Sequence, residues 1–129
     1  MPQMVLVVDD DPLTSQVLQR YLERAGYQML SATNGREAIK LAKSYAPQLI
    51  ILDVMMPDMD GWTALERLRK MKATETIPVV VLTINPDATA QEQAQASGAT
   101  LLLGKPISAA QLVTVIRRLI PAPKNESQR

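Results

Sequence analysis

The chain of 129 residues predicts an α/β fold: one doubly wound five-stranded parallel sheet flanked by five helices. Three observations carry this reading. Short β-rich runs alternate with helical patterns along the whole chain, the order that gives helices on both faces of a parallel sheet. The first, third and fourth runs are apolar without alternation, as strands covered on both sides must be. Polar residues suited to a binding site follow the same end of several runs, where open α/β sheets place their ligands.

The strands are expected at Met4–Asp9, Tyr27–Ala32, Gln48–Asp53, Pro78–Thr83 and Thr100–Gly104. Between the first two, Asp11 can cap a helix whose first position is Pro12. Val17, Leu18, Tyr21, Leu22 and Ala25 make its inward face, and Gly26 can end it. The second helix runs from about Asn34 to Tyr45 with Ala38, Ile39, Leu41 and Ala42 inward. The third spans about Trp62 to Met71 and uses Leu65 and Leu68. The fourth, about Asp87 to Ser97, offers only alanines to a core and so buries little apolar area, which makes it the most loosely anchored. The fifth opens with Ser108 and Gln111 at capping-box spacing, with Ile107 and Leu112 placed for a hydrophobic staple, and stops at Pro121. Residues 1–120 thus form one domain. Residues 121–129, polar and proline-bearing, are expected to be a flexible tail or the start of a linker.

Composition narrows the function. Nearly half the residues (47%) are apolar, but Tyr21, Tyr27, Tyr45 and Trp62 are the whole aromatic complement. A net charge of +1 gives no basis for direct nucleic-acid or membrane binding, and the basic run in residues 66–72 reads as a solvated helix face. With no Cys there is no disulfide, thiol nucleophile or zinc cluster; with no His there is no imidazole base. The N-terminus has no signal-peptide pattern and no run is long enough to span a bilayer, so a cytoplasmic domain is expected.

The chemistry lies at the strand ends. Strand one closes on Asp9 and Asp10, strand three on Asp53, strand four on Thr83, and strand five runs into Lys105. Taken singly, an Asp there is an ordinary turn or cap residue. Brought to one sheet edge, three carboxylates suit a hard divalent cation bound through oxygen, and Mg2+ fits better than zinc. Such a cation would offset the repulsion among like charges. Asp11 falls outside this set as the helix cap. Lys105 and Thr83 add a positive charge and a hydroxyl, which together with the cation is what a phosphoryl group needs. Asp53 would be nucleophile as well as metal ligand.

Over residues 4 to 120 these features resemble the receiver domain of two-component response regulators, of the chemotaxis-type single-domain kind. "DVMMPDMDG" from Asp53 to Gly61 is similar to that family's phosphoacceptor signature. "VVDDDP", "VVVLT" and "GATLLLGKP" are similar to its acidic opening, fourth strand and Lys-Pro ending. The resemblance implies a flavodoxin-like fold with strand order 2-1-3-4-5 and a cis Lys105–Pro106 bond. It makes Asp53 the phosphoacceptor and Asp9, Asp10, Asp53 and the backbone carbonyl of Met55 the Mg2+ ligands. Thr83 and Lys105 would contact the phosphoryl oxygens. The donor would be a phosphohistidine on a sensor histidine kinase or histidine phosphotransfer protein, as in a phosphorelay. The downstream protein would bind the face made by the fourth helix, fifth strand and fifth helix, with the domain a monomer or a weak activation-dependent dimer. It would be a signalling domain, enzymatic only in catalysing its own phosphorylation and dephosphorylation.

Two positions depart from the family pattern. Leu102 stands where an aromatic residue is usual, which implies a muted or altered conformational readout. Ile84 follows Thr83 where a small residue is usual and is expected to crowd the phosphoryl pocket. They motivate an alternative, a phosphorylation-independent interaction module. A flavin carrier of the same topology is disfavoured by the acidic loop after strand one. A dinucleotide-binding dehydrogenase is disfavoured by the absence of G-x-G-x-x-G.

Overall fold

The computed structural model describes residues 3–54 and 61–120. Five strands, β1 (Met4–Val8), β2 (Gln28–Ala32), β3 (Leu49–Asp53), β4 (Val79–Thr83) and β5 (Leu101–Gly104), form one all-parallel sheet in the order β2-β1-β3-β4-β5. Five helices connect or follow them: α1 (Pro12–Arg24), α2 (Gly35–Tyr45), α3 (Gly61–Arg69), α4 (Ala88–Ser97) and α5 (Ala109–Leu119). Every element lies within a residue or two of where the sequence places it.

The inner strands explain the lack of alternation in the sequence. Every residue of β3 and β4 is buried, because successive side chains enter two different cores. On one face Leu6, Val8, Ile50, Leu52, Val79 and Val81 pack with Ala38 and Ala42 of α2 and Leu65 and Leu68 of α3. On the other, Val5, Val7, Leu49, Ile51, Val80 and Leu82 pack with Leu18 and Leu22 of α1 and Leu112 and Ile116 of α5. The edge strands β2 and β5 are only partly buried.

The caps follow the sequence. Asp11, Asn34, Asp87 and Ser108 each accept a backbone N–H in the first turn of α1, α2, α4 and α5. Gly26 takes a φ of +92° just past α1, where L-residues are strained. Val17 differs from expectation: it is 42% exposed. The buried stripe of α1 is Leu18 and Leu22, and Val17 shares instead the flank of Leu13, one turn earlier. α4 buries little apolar area, as its alanines predict: only Ala94 and Ser97 of that helix are buried.

Among the described residues no helix is long and apolar enough to cross a membrane. Residues 121–129 lie outside the described residues, as does Met55, so the tail and that metal-ligand expectation have no structural counterpart here.

Candidate functional site

The site forms where β1, β3, β4 and β5 end together. Register fixes it: Val8 lies beside Leu52, Asp53 beside Leu82, and Thr83 beside Gly104. Asp9 therefore follows β1 at the level where Asp53 ends β3, and Lys105 follows β5 one residue beyond Thr83. The Lys105 backbone N–H donates to the Thr83 carbonyl at 2.8 Å, holding the two strand ends together. The Lys105–Pro106 bond is cis, as the resemblance implied.

Asp9, Asp10 and Asp53 each offer a carboxylate oxygen, and these oxygens lie within 4.8 Å of one another. Asp9 is 2% and Asp53 6% exposed, while Asp10 is open to solvent. The Lys105 ammonium lies between the buried pair, donating to Asp9 Oδ2 at 2.9 Å and Asp53 Oδ2 at 3.2 Å. Burial alone would push the lysine pKa down. The Asp9 hydrogen bond and the charges of Asp53 and Asp9 outweigh it, so the group is held above its usual 10.5. The second Asp9 oxygen accepts the Asp11 N–H at 2.9 Å, tying the acidic loop to the start of α1.

Asp11 stays outside the cluster, as the sequence indicates. It accepts from the Leu13 N–H at 3.2 Å and the Thr14 hydroxyl at 2.7 Å. The Thr14 hydroxyl first, then the Leu13 amide, lower its carboxyl below the usual 3.8.

Thr83 is 7% exposed, and its Oγ1 accepts the Asn85 N–H at 3.2 Å, so the hydroxyl belongs to the loop leading to α4. Asn85 has no side-chain signal in the sequence, because its link to the site is a backbone N–H. Ile84 does not fill the pocket: it is 75% exposed. With Leu13, Val17, Pro106 and Ile107 it lines an apolar groove of about 560 Å³ that reaches Lys105. The spacing of Leu13 and Val17, one turn apart with no inward partner, was the available clue to that groove. Leu102 is partly buried and packs against the core shared with α2 and α3.

The donor set fits a hard divalent cation. Its ligands are oxygen only, and three carboxylates beside one ammonium leave two formal negative charges. Gly61 lies against the backbone at the end of β3. A Cβ there would sit 2.5 Å from Val54 Cα and 2.6 Å from the Asp53 carbonyl oxygen, so no other residue lets α3 start this close to Asp53.

Comparison with known proteins agrees with this geometry. Residues 5–117 match the family model for the response regulator receiver domain, and the chain belongs to that family, as a receiver domain of two-component signalling. Over 116 residues it is 38% identical to the DNA-binding dual master transcriptional regulator RpaA of Synechocystis sp.. That match takes in 90% of this chain but only 48% of RpaA, so the chain spans about half that regulator's length. Among solved structures, the chemotaxis protein CheY4 of Vibrio cholerae superposes with a TM-score of 0.89 at 31% identity, covering 93% of this chain and all of that one. The receiver domain of the sensor histidine kinase PA1611 from Pseudomonas aeruginosa, solved with a magnesium ion coordinated in its active-site cleft, gives a TM-score of 0.87 at 26% identity. It covers 95% of this chain and all of that one.

Proposed function

We propose that the domain accepts a phosphoryl group on Asp53 from the phosphohistidine of a sensor histidine kinase or a histidine phosphotransfer protein, with Mg2+ as cofactor. The observation that carries this reading is the convergence of Asp9, Asp10, Asp53 and Lys105, with Thr83 beside them, at the ends of four adjacent strands. Asp9, Asp10, Asp53 and the Met55 carbonyl would hold the cation. When bound, Mg2+ would screen the negative charge of acceptor and phosphoryl group and leave the carboxylate free to attack.

The protein's own groups do the rest. An Asp53 oxygen attacks phosphorus, an O–P bond forms, and the N–P bond to the donor imidazole breaks with its electron pair left on nitrogen. Lys105 exchanges its Asp53 contact for a phosphoryl oxygen, and Thr83 turns its hydroxyl from Asn85 toward another. Attack by water on the acyl phosphate restores the carboxylate and resets the domain.

The apolar groove lined by Leu13, Val17, Ile84 and Ile107 reaches Lys105, so its rim is the surface the donor would cover as it brings its imidazole to Asp53. A downstream protein would read the face formed by α4, β5 and α5, and the domain itself would be a monomer or a weak activation-dependent dimer. Leu102 has no ring to swing inward, so the readout differs from an aromatic switch. The test is transfer of labelled phosphoryl from a phosphohistidine protein. Label should appear on the wild-type chain with Mg2+ and not with a chelator or in Asp53→Asn. Equal labelling of wild type and Asp53→Asn would refute the assignment.

A further inference from the structure

Helices α2 and α3 pack side by side on the face of the sheet away from α1 and α5. Their outward surface carries six exposed cations: Arg36, Lys40 and Lys43 on α2, Arg67 on α3, and Lys70 and Lys72 in the turn after it. Helical periodicity brings them together. On α3, Glu66 reaches Ser97 and Arg69 reaches Gly98, so that flank faces α4 and the flank bearing Arg67 faces α2. Both helices return antiparallel to the strands they follow, so α2 runs in the same direction as α3. The matching turn of its surface puts Arg36 and Lys43 toward α3, with Lys40 outward. The row from Arg36 to Lys43 is about 10 Å long, and the two helix axes lie about 10 Å apart.

Nothing nearby neutralises this surface. Among the described residues the ion pairs are those of Lys105, and none of the six cations forms one. The carboxylates of the same two helices are engaged elsewhere: Glu37 accepts the Thr33 N–H at 2.8 Å, and Glu66 accepts the Ser97 hydroxyl at 3.3 Å. Lys43 and Arg67 sit in last turns, where the helix dipole favours a cation. That role does not extend to Arg36, in the first turn of α2, or to Lys40. Arg36 and Lys40 at i and i+4, and Lys40 and Lys43 at i and i+3, repel each other and weaken the helix that carries them.

We infer that the α2–α3 surface docks an acidic protein, through a compact cluster of Asp and Glu side chains on that partner. The size of the patch selects this class. Just before α2 the surface turns acidic, since Thr33 lines one depression with Asp9 and Asp10. Glu66 bounds the patch toward α4, and Glu75 lies exposed beyond the turn after α3. A DNA duplex carries a negative charge about every 1.7 Å along its axis and would overrun the patch onto these carboxylates. An anionic bilayer, broader still, would do the same. A carboxylate cluster of about 10 Å fits between them. The apolar groove beside Lys105 is built from α1 and the segment entering α5, on the other face of the sheet, so an acidic partner leaves it open. Docking on α2 and α3 does not rest on the phosphoacceptor reading.

Fluorescence anisotropy of labelled poly-L-glutamate, titrated with the full chain, tests this. A DNA duplex and phosphatidylserine vesicles, matched in total charge, serve as competitors. Poly-glutamate should bind at about 0.01 M salt and weaken at least about tenfold at about 0.15 M, as the screening length falls. The triple variant Lys40→Gln, Lys43→Gln, Arg67→Gln should weaken binding about tenfold. The control Arg20→Gln, Arg24→Gln, Arg117→Gln removes as many exposed cations from α1 and α5 and should cost no more than about twofold. No binding by wild type, or equal losses in the two triple variants, overturns the docking surface. Displacement of poly-glutamate by the duplex or the vesicles at lower charge concentration overturns the acidic-protein assignment. Should the first triple variant melt early by circular dichroism, the single Lys40→Gln decides: about twofold weaker binding supports the surface and unchanged binding overturns it.

Discussion

Replacing Lys105 with Met keeps the aliphatic stem and removes the charge that two buried carboxylates share. At an effective dielectric of about 20, contacts of 2.9 and 3.2 Å each carry a gross attraction of about 5 kcal/mol. Desolvation of the ammonium offsets much of that. What remains is the penalty for leaving buried charges without a partner, about 3–5 kcal/mol when one member of such a pair is deleted. The Lys105 side chain is 18% exposed and so partly screened by water, which favours the lower end, about 3 kcal/mol. Urea unfolding at neutral pH without divalent cations should show that loss. Millimolar Mg2+ should recover most of it, because the cation occupies the same carboxylates and no longer competes with an ammonium. The pH dependence has a definite sign. The folded-state pKa of Lys105 is raised, so its contribution is fully present below 10.5 and is lost as pH climbs through the higher folded value. The gap between wild type and variant should be constant from neutrality to 10.5 and close above it. A variant within about 0.5 kcal/mol of wild type without divalent cations, or one that Mg2+ does not rescue, would refute this account of the site's charge balance.

Other outcomes follow from single contacts. Gly61→Ala should lose about 3 kcal/mol in urea unfolding, the upper part of the overpacking range, because the new Cβ meets Val54 and Asp53 backbone and no flexible side chain. Asp11→Ala should lower thermal stability at neutral pH through loss of the α1 cap. The Asp11 carboxyl is lowered, so its contribution is present above 3.8 and fades as pH falls through the folded value; the melting curves of wild type and variant should converge below 3.8. Leu22→Ala, which empties a fully buried position between α1 and the sheet, should cost about 3 kcal/mol by the same urea assay.

The parts legible in the sequence are those where one strong local constraint acts. The unbroken apolar runs of β3 and β4 have no other home than a sheet covered on both faces, and Asp11 followed by Pro12 has few uses besides starting a helix. Site residues were legible because parallel strands ending at one edge bring their next residues together whatever the loops do. Side-chain direction was harder. Val17 fits the inward periodicity of α1 but falls on its flank, and Ile84 points outward although its neighbour Thr83 is buried. In the sequence Arg69 is one more charge in a basic run. Its partners are the carbonyls of Glu75, Ile77 and Gly98, which every sequence possesses and none advertises. Thr74, fully buried with its hydroxyl on the Leu68 carbonyl at 2.6 Å, has no sequence signal for the same reason.

The central claim, that Asp53 is a magnesium-dependent phosphoacceptor, is tested most directly by intact mass after incubation with acetyl phosphate. The native chain should gain the mass of one phosphoryl group when Mg2+ is present and none with chelator, and Asp53→Asn should gain none under either condition. No gain by a folded native chain with Mg2+, or an equal gain in Asp53→Asn, would contradict it.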